Sequence, residues 1–79
     1  MLVSVYVDNK RVFDLKVRKN CKSIIKEIEK KIQQLYNCTI SRTMITGSIN
    51  FASGIKSFDY VLFGNNLPFR KYNYVINCN

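Results

Sequence analysis

Residues 2–17 read LVSVYVDNKRVFDLKV, and the way this stretch pairs with itself decides the fold. Leu2 to Val7 is a β-branched run with Val3, Val5 and Val7 on one side. Asp8-Asn9-Lys10 carries turn chemistry, because Asn and Asp tolerate left-handed backbone. Arg11 to Val17 then alternates, with Phe13, Leu15 and Val17 on one side and Asp14, Lys16 and Arg18 on the other. Setting Val3 and Val5 against Leu15 and Phe13 needs an odd loop or a bulge, which a three-residue turn supplies. The stretch therefore predicts an antiparallel hairpin with one apolar face.

A helix comes next and must cover that face. Asn20 can cap it, Cys21, Ile24, Ile25, Ile28, Ile32, Leu35 and Tyr36 recur at three- and four-residue steps, and Asn37 is a left-handed stop. Glu27 is placed to pair with Lys31, while Lys22, Lys26 and Lys30 line the outer side. Three strands complete the chain. In the first, Thr43, Ile45, Gly47, Ile49 and Phe51 share a face, with Met44, Thr46, Ser48 and Asn50 opposite. The second runs from Ile55 to Phe63 and ends at Gly64-Asn65-Asn66. The third runs from Phe69 to Asn77, limited at its start by Pro68. The reading is α+β: one small domain over residues 1–79, in the order ββαβββ, with a largely antiparallel sheet and one helix packed on one face.

Composition removes much chemistry. The 79 residues include no His and no Trp. Without His there is no Ser-His-Asp triad, no Cys-His pair and no imidazole ligand. Cys21, Cys38 and Cys78 lack C-x-x-C spacing, so neither a zinc site nor any other metal or cofactor is expected. A helix between Cys21 and Cys38 holds them roughly 25 Å apart, too far for a disulfide. Three thiols without a secretory leader point to a reducing compartment, so Asn37-Cys38-Thr39 is not read as a glycosylation site. Apolar runs are far too short to span a membrane. Asn, Lys, Ile and Tyr make up 32 of the 79 residues. That A/T-rich codon bias, in a short chain starting at Met1, fits a viral or mobile-element product acting in the cytoplasm of its host. An acid such as Asp59 with Glu29-Lys30-Lys31 is the only remnant of a magnesium nuclease pattern, and no enzyme is expected.

The formal net charge is +8, from thirteen Lys and Arg against five Asp and Glu. A polyanion is the first partner this suggests. Lys56, Phe58, Tyr60 and Leu62 share one face of their strand, and Arg70, Tyr72, Tyr74 and Ile76 share one face of the last, with Lys71 beside them. Nucleic-acid-binding sheets need flat rings for bases and cations for phosphates. The candidate nucleic-acid-binding residues are therefore Lys10, Arg11, Lys22, Lys26, Lys30, Lys56, Tyr60, Arg70, Lys71, Tyr72 and Tyr74. Lys56-Ser57-Phe58-Asp59-Tyr60-Val61-Leu62-Phe63 resembles the RNP1 strand of RNA recognition motifs, and Val5-Tyr6-Val7-Asp8-Asn9 resembles RNP2. That resemblance implies base stacking on Tyr6, Phe58 and Tyr60, although Ser57 and Asp59 stand at RNP1's small positions and a hairpin follows where that family has a helix. The ββα opening is similar to a ubiquitin-like β-grasp, which implies docking of a partner on the sheet.

Two functions are expected from these features. The first is a small non-enzymatic binder of nucleic acid or ribonucleoprotein through a basic, aromatic surface. The alternative is a viral inhibitor or adaptor, an anti-CRISPR or other anti-defence protein for example, that docks on a host protein complex. Homo-oligomerisation through an edge strand, with the last strand as the edge, is a further expectation.

Overall fold

A computed structural model describes residues 2–17, 24–50 and 55–77 of the chain. Strands β1 (Leu2–Val7) and β2 (Lys10–Lys16) are followed by helix α1 (Ile24–Tyr36) and strands β3 (Thr39–Asn50), β4 (Ile55–Asn65) and β5 (Lys71–Asn77). The order ββαβββ and the α+β class are as the sequence reads. The strands form one sheet in the order β2-β1-β5-β4-β3, and every neighbouring pair is antiparallel.

The hairpin pairs as its apolar pattern requires, with Val3 opposite Leu15 and Val5 opposite Phe13. The device differs in detail. The turn has two residues, Asp8 and Asn9, both in the left-handed region at φ 50° and 67°. A two-residue turn of this kind matches the twist of the strands it joins. Val7 then faces Lys10, and the odd residue is absorbed by a bulge where Tyr6 meets Arg11 and Val5 meets Phe13. A bulge holds two residues against one, so Val12 is left exposed and the apolar set still lands on the core side.

One face of the sheet lies beneath α1, and the other has no covering element among the described residues. Ile28 and Ile32 are completely buried and meet Val3, Val5, Tyr60, Leu62, Tyr72, Tyr74 and Ile76, with Ile24, Ile25, Phe13 and Leu15 packed around them. The end of the predicted helical stripe stays outside this core: Leu35 and Tyr36 are exposed, although the Tyr36 ring meets Phe69 edge-on at 5.6 Å. Asn37 ends the helix in the left-handed conformation, at φ 52°. The expected cap at Asn20, with Cys21 and Lys22, lies outside the described residues, as does Cys78. Cys38 is a buried free thiol whose Sγ lies 3.8 Å from the Ile32 carbonyl, so it fills space beneath the helix end.

Two corrections concern the C-terminal half. The last strand is not an edge: β5 sits at the centre, hydrogen-bonded to β1 and β4, and the edges are β2 and β3. Strand β3 also does not alternate throughout. Register slips between Ile40 and Arg42 and between Ile45 and Gly47. Thr43 and Ile45 therefore share the helix-covered face, whereas Gly47, paired with Asp59, faces the other way. The start of the strand has local anchors. The Ile40 N–H donates to Gln33 Oε1 of α1 at 2.9 Å, and Ser41 Oγ donates to the Phe63 carbonyl at 2.9 Å. Of the expected helix ion pair, Glu27 with Lys31, nothing forms; among the described residues Arg11 with Asp14 is the one ion pair, at 3.8 Å and solvent-exposed.

Where β3 begins against the end of β4, Gly64 admits no side chain, because a Cβ there would collide with the Thr39 carbonyl oxygen and press on Ile40 Cα. Replacing a strand glycine by alanine ordinarily stabilises, by limiting the unfolded chain. Here Gly64→Ala should lower stability by more than about 1 kcal/mol, since backbone must move. Urea denaturation checks this, and an unchanged or raised midpoint would mean that the two backbones are not in close contact.

Candidate functional site

Parity along β4 and β5 decides which side chains are available. Phe58, Tyr60 and Leu62 of β4, and Tyr72, Tyr74 and Ile76 of β5, occupy alternate positions on the side of Val3 and Val5, so they point under α1. There the rings form a ladder. Tyr60 stacks on Tyr74 at 5.2 Å and on Tyr72 at 5.6 Å, Phe58 stacks on Tyr74 at 5.1 Å, and Phe69 meets Tyr72 at 6.4 Å. Tyr60, Tyr72 and Tyr74 are only 5%, 3% and 4% exposed. This corrects the expectation that they stack bases: their faces are occupied by one another and by the helix isoleucines. Of the three rings that the RNA-recognition resemblance singles out, Phe58 and Tyr60 lie on this covered side and Tyr6 on the other.

Burial also shapes the chemistry of the ladder. Desolvation raises the phenol of Tyr72 far above its ordinary value, with smaller contributions from Tyr60, Tyr74 and Glu29. Tyr74 rises likewise, first by desolvation and then through its hydroxyl contact with Tyr60 at 3.3 Å. The Tyr72 hydroxyl is buried without a hydrogen-bond partner.

The uncovered face carries a different set. Reading the register across the strands, one row runs Arg11, Tyr6, Asn73, Asp59 and Gly47, and the next runs Asp14, Ser4, Val75 and Ser57. On the other flank stand Lys71, Val61 and Met44, then Phe63 with Arg42. Asn73 organises the centre. Its Nδ2 donates to Ser57 Oγ and to Asp59 Oδ1, both at 2.7 Å, with the Phe58 carbonyl also within reach at 3.1 Å. An amide has two N–H groups, so the two short contacts use both and the third is shared. Around this hub is an open concavity of about 610 Å³, whose walls include Tyr6, Asp8, Thr46, Asp59, Lys71 and Asn73. Lys71 is exposed at its wall, Arg11 stands opposite Tyr6, and Lys16 and Arg42 are exposed farther out on the same face. The Arg42 guanidinium lies 4.4 Å above the Phe63 ring, a cation–π contact that leaves its outer surface to solvent.

The predicted cations are thus dispersed. Arg11 and Lys71 stand on the uncovered face. Lys10, Lys56 and Arg70 occupy positions of covered-face parity at its exposed margins, and the Arg70 carbonyl accepts the Leu62 N–H at 2.7 Å. Lys26 and Lys30 are exposed on α1, on the far side of the molecule from Lys71. Lys22 lies outside the described residues. The sequence-based set of candidate residues leaves out Arg42, Lys16, Ser57 and Asn73, and singles out Asp59 only for the nuclease pattern. Alternation already groups Ser57 with Asp59 and Lys71 with Asn73; what it does not supply is which group faces solvent.

Asp59 and Glu29 lie on opposite sides of the sheet, so the magnesium-nuclease pattern has no geometry, and the described residues include no group of His, Cys, Asp or Glu able to hold a metal ion. Among the described residues, no helix is long and apolar enough to cross a membrane. No protein-family model, curated protein or solved structure matches the chain.

The two ladder tyrosines should respond oppositely to loss of the hydroxyl. Tyr74→Phe removes a buried hydrogen bond and should cost about 1 kcal/mol, while Tyr72→Phe removes a buried group with no partner and should leave stability unchanged or higher. Denaturant midpoints compare them directly, and a larger loss at Tyr72 would contradict the geometry. Both phenols are raised in the folded state, so above pH 10, the ordinary tyrosine value, the unfolded chain holds fewer protons than the folded one. Stability should therefore fall as pH rises beyond that point. Melting followed from neutral to strongly alkaline pH tests the sign, and Tyr72→Phe should make the fall shallower.

Proposed function

We propose that the chain is a non-enzymatic binding protein that contacts single-stranded nucleic acid through the uncovered face of its sheet. One observation carries the reading: Arg11, Lys16, Arg42 and Lys71, drawn from three strands, stand exposed on a face without a covering layer among the described residues, with Arg11 directly opposite Tyr6. Cations so spaced can follow a phosphate backbone, while Tyr6 and the Arg42–Phe63 pair offer flat surfaces to unstacked bases. Arg11 remains usable despite Asp14, because an exposed pair at 3.8 Å holds it weakly. The net charge of +8 favours encounter with any polyanion, and the two arginines add planar, bidentate recognition of phosphate.

A second reading has its own observation. Edge strand β3 pairs in the sheet with β4 alone, and Met44 and Ile45, on opposite faces of it, are 45% and 54% exposed. A partner strand adding to this edge would gain backbone hydrogen bonds and two apolar anchors, which is how a host-protein inhibitor or a second copy of the chain could dock.

Fluorescent single-stranded RNA and DNA titrated across a salt series tests the first reading. Four phosphate contacts give a log–log salt slope of about −3, and Lys71→Gln should make it shallower by about 0.7. Lys26→Gln with Lys30→Gln, on the far side, should change it little. Absence of binding at low salt, or loss of binding through the helix lysines alone, would overturn the sheet interface. Binding to a protein partner abolished by Met44→Lys would support the edge instead.

A further inference from the structure

We propose that the concavity on the uncovered face is a guanine-selective base pocket, in which the Asp59 carboxylate accepts the paired N1–H and N2–H donors of one unstacked base; this rests on the nucleic-acid reading above. The carboxylate is already oriented. Its Oδ1 accepts from Asn73 at 2.7 Å, and Asn73 is itself held by Ser57, which is buried. A carboxylate has about four acceptor sites, and Asn73 uses one of them. The other oxygen lies beside Gly47, where an added Cβ would stand 3.5 Å from Oδ2. The missing side chain therefore leaves that edge of Asp59 open. Among the described residues no cation forms an ion pair with Asp59.

An oriented carboxylate with both edges reachable matches a ligand bearing two parallel N–H donors. Among the nucleobases guanine alone presents that fork. Uracil sets two carbonyl oxygens against the carboxylate, and adenine and cytosine each offer one amino donor next to a ring nitrogen acceptor. An arginine side chain has the same fork, but it would bring a cation into a margin formed by Lys71 and Arg11. A guanosine phosphate instead sets its anionic group among these cations and its base on Asp59. Tyr6, directly across from Asn73, has no ring partner among the described residues and can lie against the base. The volume of about 610 Å³ falls within the range of about 300–1,000 Å³ usual for small-ligand sites.

The test uses the full chain and oligouridylate strands of equal length that carry guanosine, inosine, adenosine or cytidine at one central position, read by fluorescence anisotropy. The guanosine strand should bind about five- to a hundredfold more tightly than the others, as expected for a bidentate base contact. Inosine lacks the 2-amino group and should fall to the level of the rest. Asp59→Asn should erase the guanosine advantage, with folding checked by circular dichroism. Should that variant fail to fold, Gly47→Ala carries the test: its methyl makes ordinary contact with Oδ2 and should likewise remove the advantage. Equal binding of all four strands, with salt dependence and Lys71 sensitivity intact, would overturn the pocket and leave the interface standing. No binding by any strand would overturn both. Preferential capture of an arginine-containing peptide, lost in Asp59→Asn, would overturn the pocket in favour of a protein ligand.

Discussion

One helix cannot cover five strands. At about 4.8 Å between strands the sheet is about 19 Å across from β2 to β3, whereas a helix with its side chains is about 10 Å wide. Helix α1 supplies two completely buried residues, Ile28 and Ile32. The remaining area on that side must be closed by the sheet's own side chains, and only large ones reach. This is why Tyr60, Tyr72 and Tyr74 lie where they do. Stacked at 5.2 to 6.4 Å, they tile the space beside the isoleucines, and the hydroxyls of Tyr60 and Tyr74 satisfy each other where water is excluded.

The same constraint explains what the sequence disclosed. Local pattern suffices wherever neighbours in sequence determine the answer. Val3, Val5, Phe13 and Leu15 specify their own pairing, and Asp8, Asn9 and Asn37 take the left-handed conformations that their side chains tolerate. The two sides of β4 and β5 are equally legible as sets. Which set is buried depends on where β5 enters the sheet, and that contact links residues 2–6 with residues 73–77. Nothing local encodes so distant a pairing. The bulge at Thr46 is a comparable case: the alternation Thr43, Ile45, Gly47 continues smoothly in the sequence, but the extra residue turns Gly47 to the opposite face, where it meets Asp59.

Charge follows the division into faces rather than the clustering along the chain. Nine of the thirteen cations fall in residues 1–31, yet folding sends Lys26 and Lys30 to the helix surface and Arg11 and Lys16 to the uncovered side of the sheet, where Lys71 and Arg42 join them from distant strands. The RNP-like strands part in the same way. Strands β1 and β4 lie on either side of β5, and Tyr6 faces the uncovered side while Tyr60 faces the helix, so the two rings cannot form a common platform.

An aspartate within this basic field therefore needs its own reason to be there. A strand position facing solvent imposes no demand for a carboxylate, and the surrounding cations would serve phosphate better without one. Asp59 is nevertheless fixed by Asn73, which also engages Ser57 and the Phe58 carbonyl, so three residues of β4 are tied through one amide to β5. Such a hub specifies register, because a slip of one residue would turn Ser57, Asp59 and Asn73 into the aromatic core, where none has a partner. Register alone, however, asks only for an acceptor at position 59, and Asn or Ser would provide one without a charge. What the carboxylate adds is a second oxygen that the hub does not engage and that is bordered by a residue without a side chain, which is the edge the proposed base would use.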